Sequence, residues 1–250
     1  MGAESAARAA AAAFPTEPRI ASLAETASYN RAAALAQSGD WAGAFDMAAA
    51  SGTKLSGDLA ANALAGLAQS YARAGDFAGG RRAVAERESR AGPEAAKAAY
   101  AFLGETELVR AANSLPFAEA VAAGDRILAA GEVTIERYSQ AIAAIYGNEA
   151  GRIGAAGDWL AGAALAEAGI AKLGAVKADA AKASGDDGLA QLARSLRRNF
   201  AAEAHNRFAK LYNAGDYAGA AAAIEKALAA LPGEASLQRD LAAAKDAQKR

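Results

Sequence analysis

The chain has no cysteine, one histidine, two tryptophans and five prolines among 250 residues. Without a thiol there is no disulfide, no thiolate metal site and no cysteine nucleophile. A cysteine-free chain suits a reducing and an oxidising compartment alike, so cytoplasm and periplasm both stay open. A single histidine leaves no pair for zinc and no second base for a catalytic triad. An excess of either charge is also missing, with Lys+Arg 27 against Asp+Glu 28. No basic stripe marks a nucleic-acid surface, and the doublets Arg81-Arg82 and Arg197-Arg198 fit solvated helix faces. No run of about 18 apolar residues is free of charge or repeated glycine, so no integral membrane segment is expected. The opening MGAESAARAAAAAF lacks the basic and leucine-rich parts of a secretion signal. It reads as a helical or frayed leader, or Met1-Gly2 marks where a leader was removed.

Aromatics make up 6% of the chain, and β-branched residues are scarce, so a sheet is not expected. What the chain does have is alanine, about a third of all residues, with Gly 25 beside it. Ala with Leu, Arg, Lys and Glu gives a strongly helical sum of propensities. The small side chains require helices to approach closely. The expected fold class is all-α.

One phrase recurs. NRAAALAQSGDWAGA, from Asn30, returns as NRFAKLYNAGDYAGA, from Asn206, with most aligned residues identical. Its Gly-Asp-aromatic core appears as SGDWAGA at Ser38, AGDFAGG at Ala74, AGDWLAG at Ala156 and AGDYAGA at Ala214. A degenerate copy, LPFAEAV from Leu115, keeps Phe117 and has Pro116 in place of the Asp. The aromatics Trp41, Phe77, Phe117, Trp159 and Tyr217 are 36, 40, 42 and 58 residues apart. Glycine can close a helix in the left-handed conformation, and aspartate caps the next by accepting from its free N–H groups. The aromatic then lies in the first turn, and Ala or Gly three residues later lets two helices touch.

The pattern predicts a leader segment (1–19), repeats over 20–232 with about five helix pairs, and a polar capping helix (233–250), in one domain spanning 1–250. Breaks are expected at Gly39, Ser51 to Gly57, Gly75, Gly92-Pro93, Leu115-Pro116, Gly131 and Gly157, near Gly185 and Gly215, and at Pro232-Gly233. ASGDDG, Ala183 to Gly188, separates two long helices in the 58-residue gap, which holds something extra. Tyr100, Phe102, Phe117, Tyr138 and Tyr146 fall at helical intervals and read as core. Trp41 and Trp159 are expected to be largely buried.

On these residues the chain resembles the tetratricopeptide repeat (TPR) family. The clearest unit is Ala61 to Pro93, with Leu64, Leu67-Ala68, Tyr71, Gly75-Asp76-Phe77 and Pro93. The uneven spacings depart from that family's period of about 34, so a distorted superhelix is expected. The resemblance implies that the first helix of each pair lines a concave surface where partners bind.

Asn30-Arg31, Asn148-Glu149 and Asn206-Arg207 stand at the same distance before Gly39, Gly157 and Gly215. Two readings are open. Either these charges pair with neighbouring repeats or lie at helix edges, or Asn and Arg face a groove and hold a carboxylate or a peptide backbone. Tyr29, Asn62, Gln69, Arg73, Arg152, His205, Tyr212 and Asn213 fall on or near the same faces by helical spacing. Asp186-Asp187 lacks the acidic ladder of a calcium loop and reads as a capping turn. GEAS and GDDG do not have the spacing of a phosphate loop. The functional expectation is a non-enzymatic binding or assembly module with no cofactor and no metal, taking a protein or peptide partner. The alternative is a small-molecule or lipid carrier, for example the extracytoplasmic partner of a transporter.

Overall fold

The computed structural model describes residues 2–51, 54–177 and 186–249. Among them the chain is all-α, with thirteen helices and no strand. The leader holds α1 (Ala3–Ala13). Five pairs follow in which two helices are separated by a turn of two or three residues: α2 (Pro18–Gln37) with α3 (Trp41–Ala49), α4 (Lys54–Ala74) with α5 (Phe77–Ala85), α7 (Pro93–Ser114) with α8 (Phe117–Ala129), α9 (Ile135–Ala155) with α10 (Trp159–Lys177), and α11 (Asp186–Asn213) with α12 (Tyr217–Ala230). A short α6 (Glu88–Ala91), which the sequence reading did not anticipate, stands between the second and third pairs, and α13 (Ala235–Gln248) follows the fifth.

The Gly-Asp turns are built as their residues dictate. At the first, Gly39 has φ +86°, its N–H donates to Ala36 O at 3.0 Å, and the Asp40 N–H donates to Leu35 O at 2.9 Å. This pair of hydrogen bonds closes a helix on a left-handed residue. The same pair of bonds recurs at Gly75, Gly157 and Gly215. Asp40, Asp76 and Asp216 then accept from the backbone N–H groups of Gly43, Gly79 and Gly219 at 2.9, 2.8 and 2.8 Å. At the fourth turn Asp158 accepts from Ala161 at 3.1 Å. The residues three places after each aromatic, namely Ala44, Gly80, Ala120, Gly162 and Ala220, are all buried.

The break near Gly185 lies outside the described residues, as do Gly52 and Thr53 within Ser51 to Gly57. The long gap is filled chiefly by helix, since α10 has 19 residues and α11 has 28. By length and composition α10 is apolar enough to cross a membrane over Trp159–Val176, with mean hydropathy 1.3. It is packed between α9 and α11, and its Glu167 pairs with Arg197 at 2.7 Å.

Backbone contacts divide the chain into two compact units, Met1–Ser114 with Ala122–Thr134, and Leu115–Val121 with Ile135–Arg250. In the first unit the core gathers Phe45, Leu64, Val84 and Leu103, all fully buried. In the second, α12 and α13 close over α11 through Phe208, Ile224, Leu237 and Ala244.

Two expectations about aromatics need correction. Phe102 is 39% exposed, on the outer face of α7 with Val109, because that helix buries Leu103 and Leu108 instead. The two tryptophans are only half-buried. Trp41 lies against Gly66, where a Cβ would stand 2.4 Å from the ring. Trp159 keeps its polar edge outward, its indole N–H donating to Glu203 at 2.6 Å, as an amphipathic ring does at a surface.

Candidate functional site

Each copy of the duplicated Asn-Arg phrase borders a cleft in its own unit. In the second unit a cleft of about 300 Å³ lies along α11 and α12 beside the turn at Gly157. Its floor is Phe200 and Ala204 from α11 with Ala223, Ala227 and Ala230 from α12. These residues recur every three or four places, so one face of each helix lines the cleft. The charged border is Arg207, Lys226 and Glu203. Glu203 is engaged by the Trp159 indole. Among the described residues, Arg207 and Lys226 make no hydrogen bond or ion pair.

The first unit's cleft, about 590 Å³, lies between α1 and α2 and is lined by Asn30 and Arg31 with Glu4, Ser5 and Ala27. Glu4 pairs with Arg8 at 2.9 Å. Arg31 is exposed and, like Arg207, makes no ion pair or hydrogen bond among the described residues.

The other predicted residues are placed differently. Tyr29 is half-buried on α2, and Asn62, Gln69 and Arg73 are exposed on α4; none of them borders either cleft. Asn148 is exposed on α9. Arg152 is turned onto its own helix, where both its bonds go to Glu149 one turn back, at 2.8 and 2.6 Å. That hydrogen bonding holds the Glu149 carboxyl below its ordinary value. His205 Nδ1 sits 2.7 Å from Asp240 of α13, so it ties the last helix to α11. Asn206 is exposed beside it, and it does not line the cleft that Arg207 borders. No group of three or more His, Asp or Glu able to hold a metal occurs among the described residues.

The sequence reading missed the most buried ion network. Arg81 of α5 holds Glu132 in a fork, Nε to Oε1 at 2.6 Å and Nη2 to Oε2. Its Nη1 stands 2.6 Å from Glu107 of α7, whose other oxygen accepts from Arg126 at 2.6 Å. The Glu132 side chain is only 7% exposed, and its hydrogen bond pushes the Arg81 guanidinium still higher than its ordinary value. Gly131-Glu132 makes the same turn bonds as the Gly-Asp sites, Gly131 N–H to Leu128 and Glu132 N–H to Ile127. A Gly-Glu in the place of Gly-Asp was the available signal. Nearby, Arg87 and Arg90 converge on Asp46 at 3.3 and 2.8 Å and lie over the Phe45 ring.

No protein-family model matches the chain, and no curated protein matches it either.

Proposed function

We propose that the chain is a TPR-like binding and assembly module whose clefts take peptide or protein partners through Arg31 and Arg207. The observation that carries this reading is the state of those two guanidinium groups. Arg81, Arg87, Arg90, Arg126, Arg152 and Arg197 are all committed to carboxylates. Arg31 and Arg207, which open the duplicated phrase, have no partner among the described residues and border clefts. A guanidinium fork left free beside a cleft is suited to a carboxylate or a backbone carbonyl on a partner.

The test is capture from a lysate by the wild-type chain and by the Arg31→Ala/Arg207→Ala double variant, after circular dichroism has shown equal helicity. The reading predicts that specific partners drop at least about tenfold, the effect of losing one charge-assisted hydrogen bond. Equal recovery of the same proteins would refute it.

A further inference from the structure

We infer that the α11–α12 cleft binds an alkyl carboxylate, a single anionic head on one unbranched hydrocarbon chain. This goes beyond the protein-partner reading: at the Arg207 cleft it puts a small amphiphile in place of the peptide, and the protein-partner reading then stands on the Arg31 cleft. The floor, Phe200 with four alanines, offers neither donor nor acceptor from its side chains. Beneath Phe200, Ala204 and Ala223 the backbone groups lie inside α11 and α12 and are spent on helix hydrogen bonds. The Ala227 carbonyl accepts from the Leu231 N–H at 2.9 Å, and Ala230 is the last residue of α12. Over most of that floor a peptide backbone would lose its water and gain no partner, whereas a hydrocarbon chain needs none.

The border supplies the complementary charge. Its one carboxylate, Glu203, faces the Trp159 indole N–H at 2.6 Å. Arg207 and Lys226, on opposite helices, have no ion pair to break before they receive an anion. A carboxylate can take the fork of the arginine and the point charge of the lysine together. About 300 Å³ is the small end of ligand sites, which suits one short chain.

The test is isothermal titration of the full chain with sodium decanoate below its micelle concentration, beside decanol and decyltrimethylammonium of equal chain length. Decanoate should bind saturably, one per chain, and at least about tenfold more tightly than either analogue. Arg207→Ala and Lys226→Ala should each weaken it about tenfold. Both side chains are exposed, so the melting curve should stay unchanged. The inference is overturned if decanoate shows no saturable binding up to about 1 mM, the weak end of the affinity scale. It is also overturned if decanol binds equally well or if the two variants leave the isotherm unaltered. If the capped peptide acetyl-Glu-Leu-Glu-amide binds through Arg207 and decanoate does not, the cleft is a peptide site. In that case this inference falls while the binding-module reading survives. If partner capture is unaltered by Arg31→Ala while decanoate still binds through Arg207, the binding-module reading falls and this inference survives.

Discussion

The two copies of the duplicated phrase have the same turn and different surroundings. Around Gly39 and around Gly215 the backbone closes with the same pair of bonds, and the same aspartate accepts from the glycine three residues on. Yet Arg31 stands by Glu4 and Ser5 of α1, whereas Arg207 stands by Lys226 over an apolar floor. A turn is decided by residues within one short window. What an arginine faces is decided by a helix that arrives from elsewhere in the chain. The units differ in their interiors as well. The first carries the buried Arg81–Glu132–Glu107 network, whereas in the second α10 sets a glycine, Gly162, directly against the backbone of α9 at Ala150.

The largest effect expected is from Arg81→Ala in the first unit. It strands the Glu132 carboxylate without its fork, which costs about 3–5 kcal/mol. Arg152→Ala, which removes an exposed pair within one helix of the second unit, should leave the same denaturant curve unmoved. Similar midpoints for the two variants would show that the Arg81 network is not under load.

Next comes a pair of glycines with opposite signs. At Gly162 of α10 a Cβ would stand 2.6 Å from the Ala150 carbonyl oxygen, so Gly162→Ala should destabilise by about 1–3 kcal/mol. At Gly151 of α9 nothing lies within 4 Å, and Gly151→Ala should stabilise by about 0.5–1 kcal/mol through helix propensity. Thermal melts of both variants check the close approach of α9 and α10. Two shifts of one sign would break it.

The all-α class, the five helix pairs and the turn chemistry were legible because Gly, Asp and a small residue each act on their nearest neighbours. The capping helix was legible for the same reason, since Pro232-Gly233 interrupts the chain before it. The half-burial of Trp41 and Trp159 was not legible. It depends on Gly66 and Glu203, which lie 25 and 44 residues away. Of the site residues, Asn30, Arg31 and Arg207 border clefts, while Arg152 and His205 are taken by Glu149 and Asp240. Helical spacing names the face a residue occupies. It does not name the carboxylate that reaches it first.

Modest stability losses come from the caps. Asp40→Ala and Asp216→Ala should each cost about 1 kcal/mol, equal because their bonds measure 2.9 and 2.8 Å. Asp158→Ala, with its longer bond of 3.1 Å, should cost less. Chemical denaturation of the three single variants sharpens the comparison. A cost confined to one copy would show that the two turns are not equivalent.

The claim that the duplicated arginines serve binding is tested most directly by the affinity of one captured partner for three chains: wild type, Arg31→Ala and Arg207→Ala. Isothermal titration should show a loss of about tenfold or more for at least one single variant, with helicity and melting unchanged in both. Affinities within about twofold of wild type for both variants, a difference under about 0.5 kcal/mol, would contradict the account.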